Sequence, residues 1–164
     1  MTTFACMRKW ILFIILISLA PALKASDAIY KNVLNALMAN DTALINKSLN
    51  SVSVLPLSEK KACTGALLMK KAGLATIPAE KLRLFKQGRH ILEGEIKSHP
   101  DKVLFHFLRL IIQENSPPFL GYNKNMKEDA ALLRKHYKSL STDVRQAVSD
   151  YAKHSKILTS SDFE

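Results

Sequence analysis

Cysteine is scarce in this chain: the 164 residues contain only Cys6 and Cys63. An internal disulfide framework is therefore excluded for any domain that begins after Cys6, and such a domain must be stabilised by packing. Cys63 stands among small residues, Ala62, Thr64, Gly65 and Ala66, which predicts a small core residue and not a catalytic thiol.

Motifs for catalysis or metal binding are also lacking. The five histidines show no zinc-ligand spacing, and there is no His-Glu-x-x-His, no glycine-rich phosphate loop and no Gly-x-Ser-x-Gly elbow. We therefore predict a protein that is not an enzyme, with no catalytic residues, no metal site and no cofactor. The histidines are His90, His99, His106, His136 and His154.

The apolar run near the start is too short for a membrane span. Arg8 and Lys9 precede an uncharged stretch from Trp10 to Leu23, whereas a spanning helix needs about 20 apolar residues. Charge, a short apolar core and then small residues are the order of a secretory signal, so we predict a signal peptide over residues 1–25. Cleavage after Ala22 or after Ala25 fits the pattern, and an uncleaved signal anchor is the alternative. Cys6 precedes the apolar core, where a lipid-modified cysteine is not expected.

The remaining chain is basic. Removal of residues 1–25 takes away Arg8, Lys9 and Lys24 but no acidic residue, so the formal net charge falls from +10 to +7. For a domain in the periplasm or outside the cell, the anionic partners are lipid headgroups, envelope polysaccharide and acidic proteins, not nucleic acid. A soluble surface rich in lysine is the simpler interpretation. After cleavage, no transmembrane anchor is predicted.

Apolar residues recur at intervals of three and four, which predicts helices almost throughout. We expect an all-α, helical-hairpin bundle of about six or seven helices that forms a single domain, residues 26–164. The fifth helix, 102–114, has so little polar surface that it must be mostly buried. In the fourth helix, Gly88 lies on an inward stripe and would let a neighbouring helix come close. That stripe comprises Leu82, Phe85, Gly88, Leu92 and Ile96.

Helix ends are predicted from capping residues. Asp41 caps the second helix, Gly73 closes the third, Pro78 opens the fourth, Asp101 caps the fifth, Asn125 with Glu128 forms a capping box for the sixth, and Thr142 caps the seventh. Val52–Leu57 is the single strand-like stretch, and Thr159–Glu164 is expected to be frayed.

The junction Ile96–Lys102 contains His99-Pro100-Asp101 and resembles the junction between successive tetratricopeptide repeats. The chain lacks several copies at the roughly 34-residue period of such arrays. At most one repeat-like hairpin and part of another are therefore expected. Stacked helical hairpins leave a concave face that often holds peptides.

A second likeness covers roughly residues 60–130. The segments Gly65–Met69, Lys81–Gly88 and Phe107–Asn125, followed by Glu128 and Asp129, resemble an uncharacterised family of exported bacterial proteins, mainly from Bacteroidetes. The family is expected to carry arginine where this chain has His106, which weakens an anion-binding role for that position. The resemblance implies a helical fold and an exported location. It implies no activity, because none is assigned to the family.

A polar stripe on the fifth helix provides the candidate binding residues. Lys102, His106, Arg109 and Gln113 step by four, three and four and so share one face. That face is a groove lining that could hold a peptide or an anion, a solvent window, or, for Arg109, an internal ion pair. The candidate binding residues are His106, Arg109 and Gln113 of this stripe and, outside it, Tyr122. Tyr122 ends the loop Pro117–Tyr122, which is either a binding loop or a rigid connection.

Two functions fit these features. The first, which the sequence favours, is an exported, non-enzymatic interaction or scaffold module with a tetratricopeptide-like fold that holds an envelope protein, because catalytic residues are lacking and a repeat-like junction is present. The second is a carrier or sensor of a small anionic or lipid ligand, because the chain is basic and its middle helices are apolar. An enclosed apolar pocket would favour the carrier, and an open face with exposed aromatics would favour the scaffold.

Overall fold

The computed structural model describes residues 26–163, which fold into seven α-helices and contain no strand. The predicted all-α fold is confirmed, whereas the predicted signal peptide lies outside the described residues. The helices are α1 (26–38), α2 (Thr42–Ser51), α3 (Leu57–Leu74), α4 (Pro78–Ser98), α5 (Val103–Glu114), α6 (Met126–His136) and α7 (Thr142–Ala152).

Helices α3 and α4 form an antiparallel hairpin whose backbones nearly touch. A Cβ added to Gly88 would lie 2.5 Å from the carbonyl oxygen of Gly65, and one added to Gly65 would lie 2.8 Å from the carbonyl oxygen of Gly88. Both contacts are shorter than any side chain tolerates, so both positions require glycine. The close approach predicted for Gly88 is confirmed. The likeness of this hairpin to tetratricopeptide repeats stays a prediction.

Helix α5 occupies the centre of the bundle and packs on α3, α4 and α6. Phe105, Phe107, Leu108, Leu110 and Ile111 are almost completely buried, as predicted for a helix with so little polar surface. The Phe107 ring meets the Tyr151 ring of α7 edge to face at 5.6 Å. Cys63 is fully buried, and burial, followed by the nearby charge of Glu59, raises its pKa to about 12. It is a core residue, as predicted.

The cap of α2 is confirmed, since the Asp41 carboxylate accepts hydrogen bonds from the backbone N–H groups of Ala43 and Leu44. The cap predicted at Asp101 is wrong because the chain turns one residue later, at Lys102. Ser141, not Thr142, precedes the first turn of α7.

Asn125 does precede α6, but its side chain caps no backbone group. Its amide instead donates to the Glu128 carboxylate at 3.4 Å, so the predicted capping box does not form.

Two predictions around α3 are wrong. The strand-like stretch is a short 3₁₀-helix, Val52–Val54, followed by the start of α3 at Leu57; a strand would have needed a partner strand, and residues 26–163 contain none. Gly73 does not close α3, which ends at Leu74. The helix stops because Ala75 turns to extended backbone before Pro78, with ψ of 142°.

The C-terminal residues are also more ordered than predicted. Ser160–Phe163 form a 3₁₀-helix, and the Phe163 ring packs on Tyr137 with 4.7 Å between the ring centres. Arg134 pairs with Asp162 at 3.0 Å. Glu114, at the end of α5, accepts hydrogen bonds from the Ser155 hydroxyl and from the Lys156 backbone N–H. Side-chain contacts of this kind, which sequence periodicity cannot show, hold the tail against the bundle.

Candidate functional site

Two residues of the polar stripe, His106 and Arg109, belong to a buried ion cluster. The Arg109 side chain donates to both carboxylate oxygens of Asp129 at 2.7 Å and to Glu93 at 2.9 Å. Arg109 is only 7% exposed and Asp129 only 1%. Of the alternatives that the sequence left open, Arg109 therefore makes the internal ion pair.

His106 and Tyr122 complete this cluster. One ring nitrogen of His106 lies 2.7 Å from Asp129, and the other lies 3.0 Å from the carbonyl oxygen of Pro100. The Tyr122 hydroxyl donates to Glu93 at 2.6 Å. We call these five residues, Glu93, His106, Arg109, Tyr122 and Asp129, the Asp129 network. It joins α4, α5, α6 and the segment that carries Tyr122.

The electrostatics of the Asp129 network match its geometry. Burial alone would raise the pKa of Asp129, but hydrogen bonds from Arg109 and then His106 outweigh burial and lower it. Burial would lower the pKa of Arg109, and the hydrogen bonds and charge of Asp129, followed by those of Glu93, raise it. Burial and the bond to Glu93 raise the pKa of Tyr122. Both members of the central pair are therefore held in their charged forms.

The other two residues of the polar stripe, Lys102 and Gln113, lie outside the Asp129 network. Lys102 pairs with Glu59 of α3 at 3.1 Å. Gln113 is 2% exposed, and its side-chain oxygen is buried without a hydrogen-bond partner in the described part of the chain. Binding by His106, Arg109, Gln113 and Tyr122 stays a prediction, and none of the four lines the groove described next.

A groove of about 590 Å³ lies between the ends of α3 and α5, the start of α4 and the loop 115–120. We call it the apolar groove. Gly73, inside α3, lines it, and a Cβ added there would meet no atom within 4 Å. The space therefore exists partly because residue 73 has no side chain. The apolar lining residues are Met69, Ala72, Leu74, Pro78, Leu82, Phe85, Ile112, Pro117, Phe119 and Leu120.

Two residues of the apolar groove are large, apolar and exposed. Phe119 is 86% exposed, and Leu82 is 49% exposed although the stripe predicted it to face inward. Single exposed apolar residues are common, but two of them beside a cavity make this surface a candidate for binding. Three residues of the loop Pro117–Tyr122, which the sequence left as either a binding loop or a rigid connection, line the groove: Pro117, Phe119 and Leu120. Helical periodicity gave no sign that α3 and α4 leave a space.

Few polar side chains reach the apolar groove. Asn115 and Ser116 donate back to the Ile111 and Ile112 carbonyls at the end of α5. Lys70 donates to the amide oxygen of Asn40 at 3.1 Å, and burial lowers the pKa of Lys70. The ammonium group of Lys81, which also lines the groove, has no hydrogen bond or ion pair with any described residue.

Residues 26–163 contain no group of three or more His, Cys, Asp or Glu side chains that could hold a metal ion. Over the same residues, no helix combines the length and the apolar character that crossing a bilayer requires. Comparison of the chain with family models, with curated proteins and with solved structures gives no match.

Proposed function

We propose that this chain is an exported, non-enzymatic protein that binds a lipid-like ligand in the apolar groove and acts as a carrier or sensor in the cell envelope. The sequence alone favoured the scaffold, and the observation that supports the carrier instead is the groove itself, a concave cavity with mainly apolar walls. Small-molecule sites are clefts of about 300–1,000 Å³ with mainly apolar walls and a few polar groups, and the groove has that size and that lining. The export component rests on the N-terminal sequence pattern.

The Asp129 network supports the proposal indirectly. Its arginine already donates to two carboxylates, and the hydroxyl of Tyr122 is bonded as well. A ligand at those residues would have to replace strong buried hydrogen bonds. Binding at the apolar groove needs no such exchange, because its exposed apolar atoms gain from leaving water.

Filling the apolar groove tests the proposal. Gly73→Phe places a large ring where an added Cβ meets nothing, so the fold is expected to tolerate it. The matched control is Gly94→Phe on the exposed face of α4, where an added Cβ also meets nothing. We expect the neutral probe N-phenyl-naphthylamine to bind the wild type and Gly94→Phe and to lose at least about tenfold in affinity with Gly73→Phe. Equal binding by both variants, or no binding by the wild type, would contradict the proposal.

A second candidate, the interaction module, is favoured by the exposure of Phe119 at the edge of the groove. A photo-crosslinking amino acid at position 119, in cells that produce the protein, separates the two functions. A discrete protein adduct would favour an envelope partner, and a lipid adduct would favour the carrier. The control position is 54, because Val54 is 76% exposed and does not line the groove.

A further inference from the structure

Two positively charged side chains beside the apolar groove bear on the head group of its ligand. Lys70 of α3 and Lys81 of α4 both line it, from the two helices of one hairpin. No described carboxylate lies within ion-pair distance of either ammonium group. The only side-chain hydrogen bond that the Lys70 ammonium makes with a described residue goes to the neutral amide of Asn40, and burial partly desolvates this ammonium.

Carboxylates are also absent from the neighbouring turns. The residues three and four positions from Lys70 on α3, and from Lys81 on α4, include no Asp or Glu. Glu80 is adjacent to Lys81 in sequence, and adjacent helical residues do not face each other. By contrast, two lysines nearer the other end of the hairpin have partners: Lys61 pairs with Glu95, and Lys102 pairs with Glu59. Lys60 and Lys97, nearer that other end, also have no carboxylate at ion-pair distance among the described residues, but they do not line the groove. What distinguishes Lys70 and Lys81 is that their unpaired charge lies beside an apolar cavity.

We infer that the ligand is an amphiphile with an apolar chain and an anionic head, a carboxylate or a phosphate, whose chain fills the apolar groove and whose head pairs with Lys70 and Lys81. The inference rests on the proposed function, because it specifies the head of the ligand that the groove would hold. An apolar chain alone would leave both ammonium groups without a counter-charge. An anion next to a partly buried ammonium gains more than it would in water, because the local dielectric is lower and screening by salt is weaker.

Competition against the bound neutral probe tests the inference. Dodecanoate and dodecyl phosphate supply the two anionic heads, and dodecanol supplies the same chain without charge. In the wild type we expect one or both anionic compounds to compete about tenfold better than dodecanol. The better of the two anions identifies the head group.

The matched variants are two double substitutions with the same change in charge. Lys70→Gln with Lys81→Gln removes both groove lysines, and Lys60→Gln with Lys97→Gln removes exposed lysines from the same two helices, nearer the other end of the hairpin. We expect the anionic preference to vanish in the first variant and to persist in the second. Dodecanol should compete equally with all three proteins.

The outcomes separate the two proposals. Equal competition by dodecanol and both anions in the wild type, or an anionic preference that survives Lys70→Gln with Lys81→Gln, would overturn the inference and leave the proposed function intact. Failure of the neutral probe to bind the wild type would overturn the proposed function and the inference with it.

Discussion

The Asp129 network and the apolar groove share helix α4 and meet at Phe85. The Phe85 ring contacts the Tyr122 ring edge to face at 5.7 Å, and Phe85 also lines the groove. In the network, each charged group lies within hydrogen-bond distance of a partner of opposite charge and is mostly shielded from water. Beside the groove, two ammonium groups lack a counter-charge and large apolar side chains face solvent. The paired groups of the network stabilise the fold, whereas the unpaired groups beside the groove are the ones to which we assign ligand binding in our proposal.

The largest effect is expected where the Asp129 network is broken. Asp129→Ala leaves Arg109 buried beside a lost partner, and removal of one member of a buried ion pair costs about 3–5 kcal/mol. Chemical denaturation measures the free energy of unfolding. The matched control, Asp150→Ala, removes an exposed carboxylate paired with Lys153 and should change that free energy by less than about 0.5 kcal/mol. Similar effects from both variants would show that the network is not a buried structural unit.

A smaller effect is expected at the glycine contact of the hairpin. Gly88→Ala forces a Cβ against the backbone of Gly65, and overpacking of this kind costs about 1–3 kcal/mol. Gly73→Ala, in the groove, meets no atom and should stabilise the helix by up to about 1 kcal/mol. Thermal or denaturant unfolding should show that Gly88→Ala lowers the stability and that Gly73→Ala raises it. A loss of stability in Gly73→Ala would mean that the groove is filled in solution.

The free energy of unfolding should decrease at low pH because Asp129 becomes protonated. Because the folded-state pKa of Asp129 lies below the ordinary value of 3.8, its ion pair contributes stability above that value. The contribution is lost as the pH falls through 3.8 and then through the lower folded-state pKa. Denaturation curves between about pH 7 and pH 3 should therefore show a steeper acid loss for the wild type than for Asp129→Asn. Parallel curves would argue against a depressed pKa at this carboxylate.

The smallest effect on stability is expected in the groove. Phe119→Ala removes an aromatic ring that is 86% exposed, so the free energy of unfolding should change by less than about 0.5 kcal/mol. Affinity for the neutral probe should nevertheless fall, because the ring lines the groove. A stability loss as large as that of Asp129→Ala would remove the distinction between the two regions.

Sequence periodicity predicted the helices, the burial of α5 and the close approach at Gly88, because each depends on residues a few positions apart. It also brought Lys102, His106, Arg109 and Gln113 onto one face, and it allowed an ion pair at Arg109. It could not identify Asp129 or Glu93 as the partners, since these lie 20 and 16 residues away and reach Arg109 only through the packing of α4 and α6 on α5.

The apolar groove was harder to predict. Leu82 has the spacing of a core residue, and only the placement of three helix ends around Gly73 leaves it exposed. Tertiary packing decides which apolar residues of a stripe find a partner, and a repeat pattern does not contain that information. The sequence singled out the loop Pro117–Tyr122 without deciding between a binding loop and a rigid connection, and only the fold shows that part of it lines the groove.

Mapping the bound ligand by NMR tests the central claim most directly. Titration of the isotope-labelled protein with dodecanoate, followed through backbone amide and side-chain methyl signals, reports which residues respond. We predict that the shifts centre on Gly73, Leu82 and Phe119 and leave Asp129 and Arg109 nearly unchanged. Shifts centred on His106, Arg109 and Asp129, with a silent groove, would contradict the assignment of the groove to binding and of the Asp129 network to the fold.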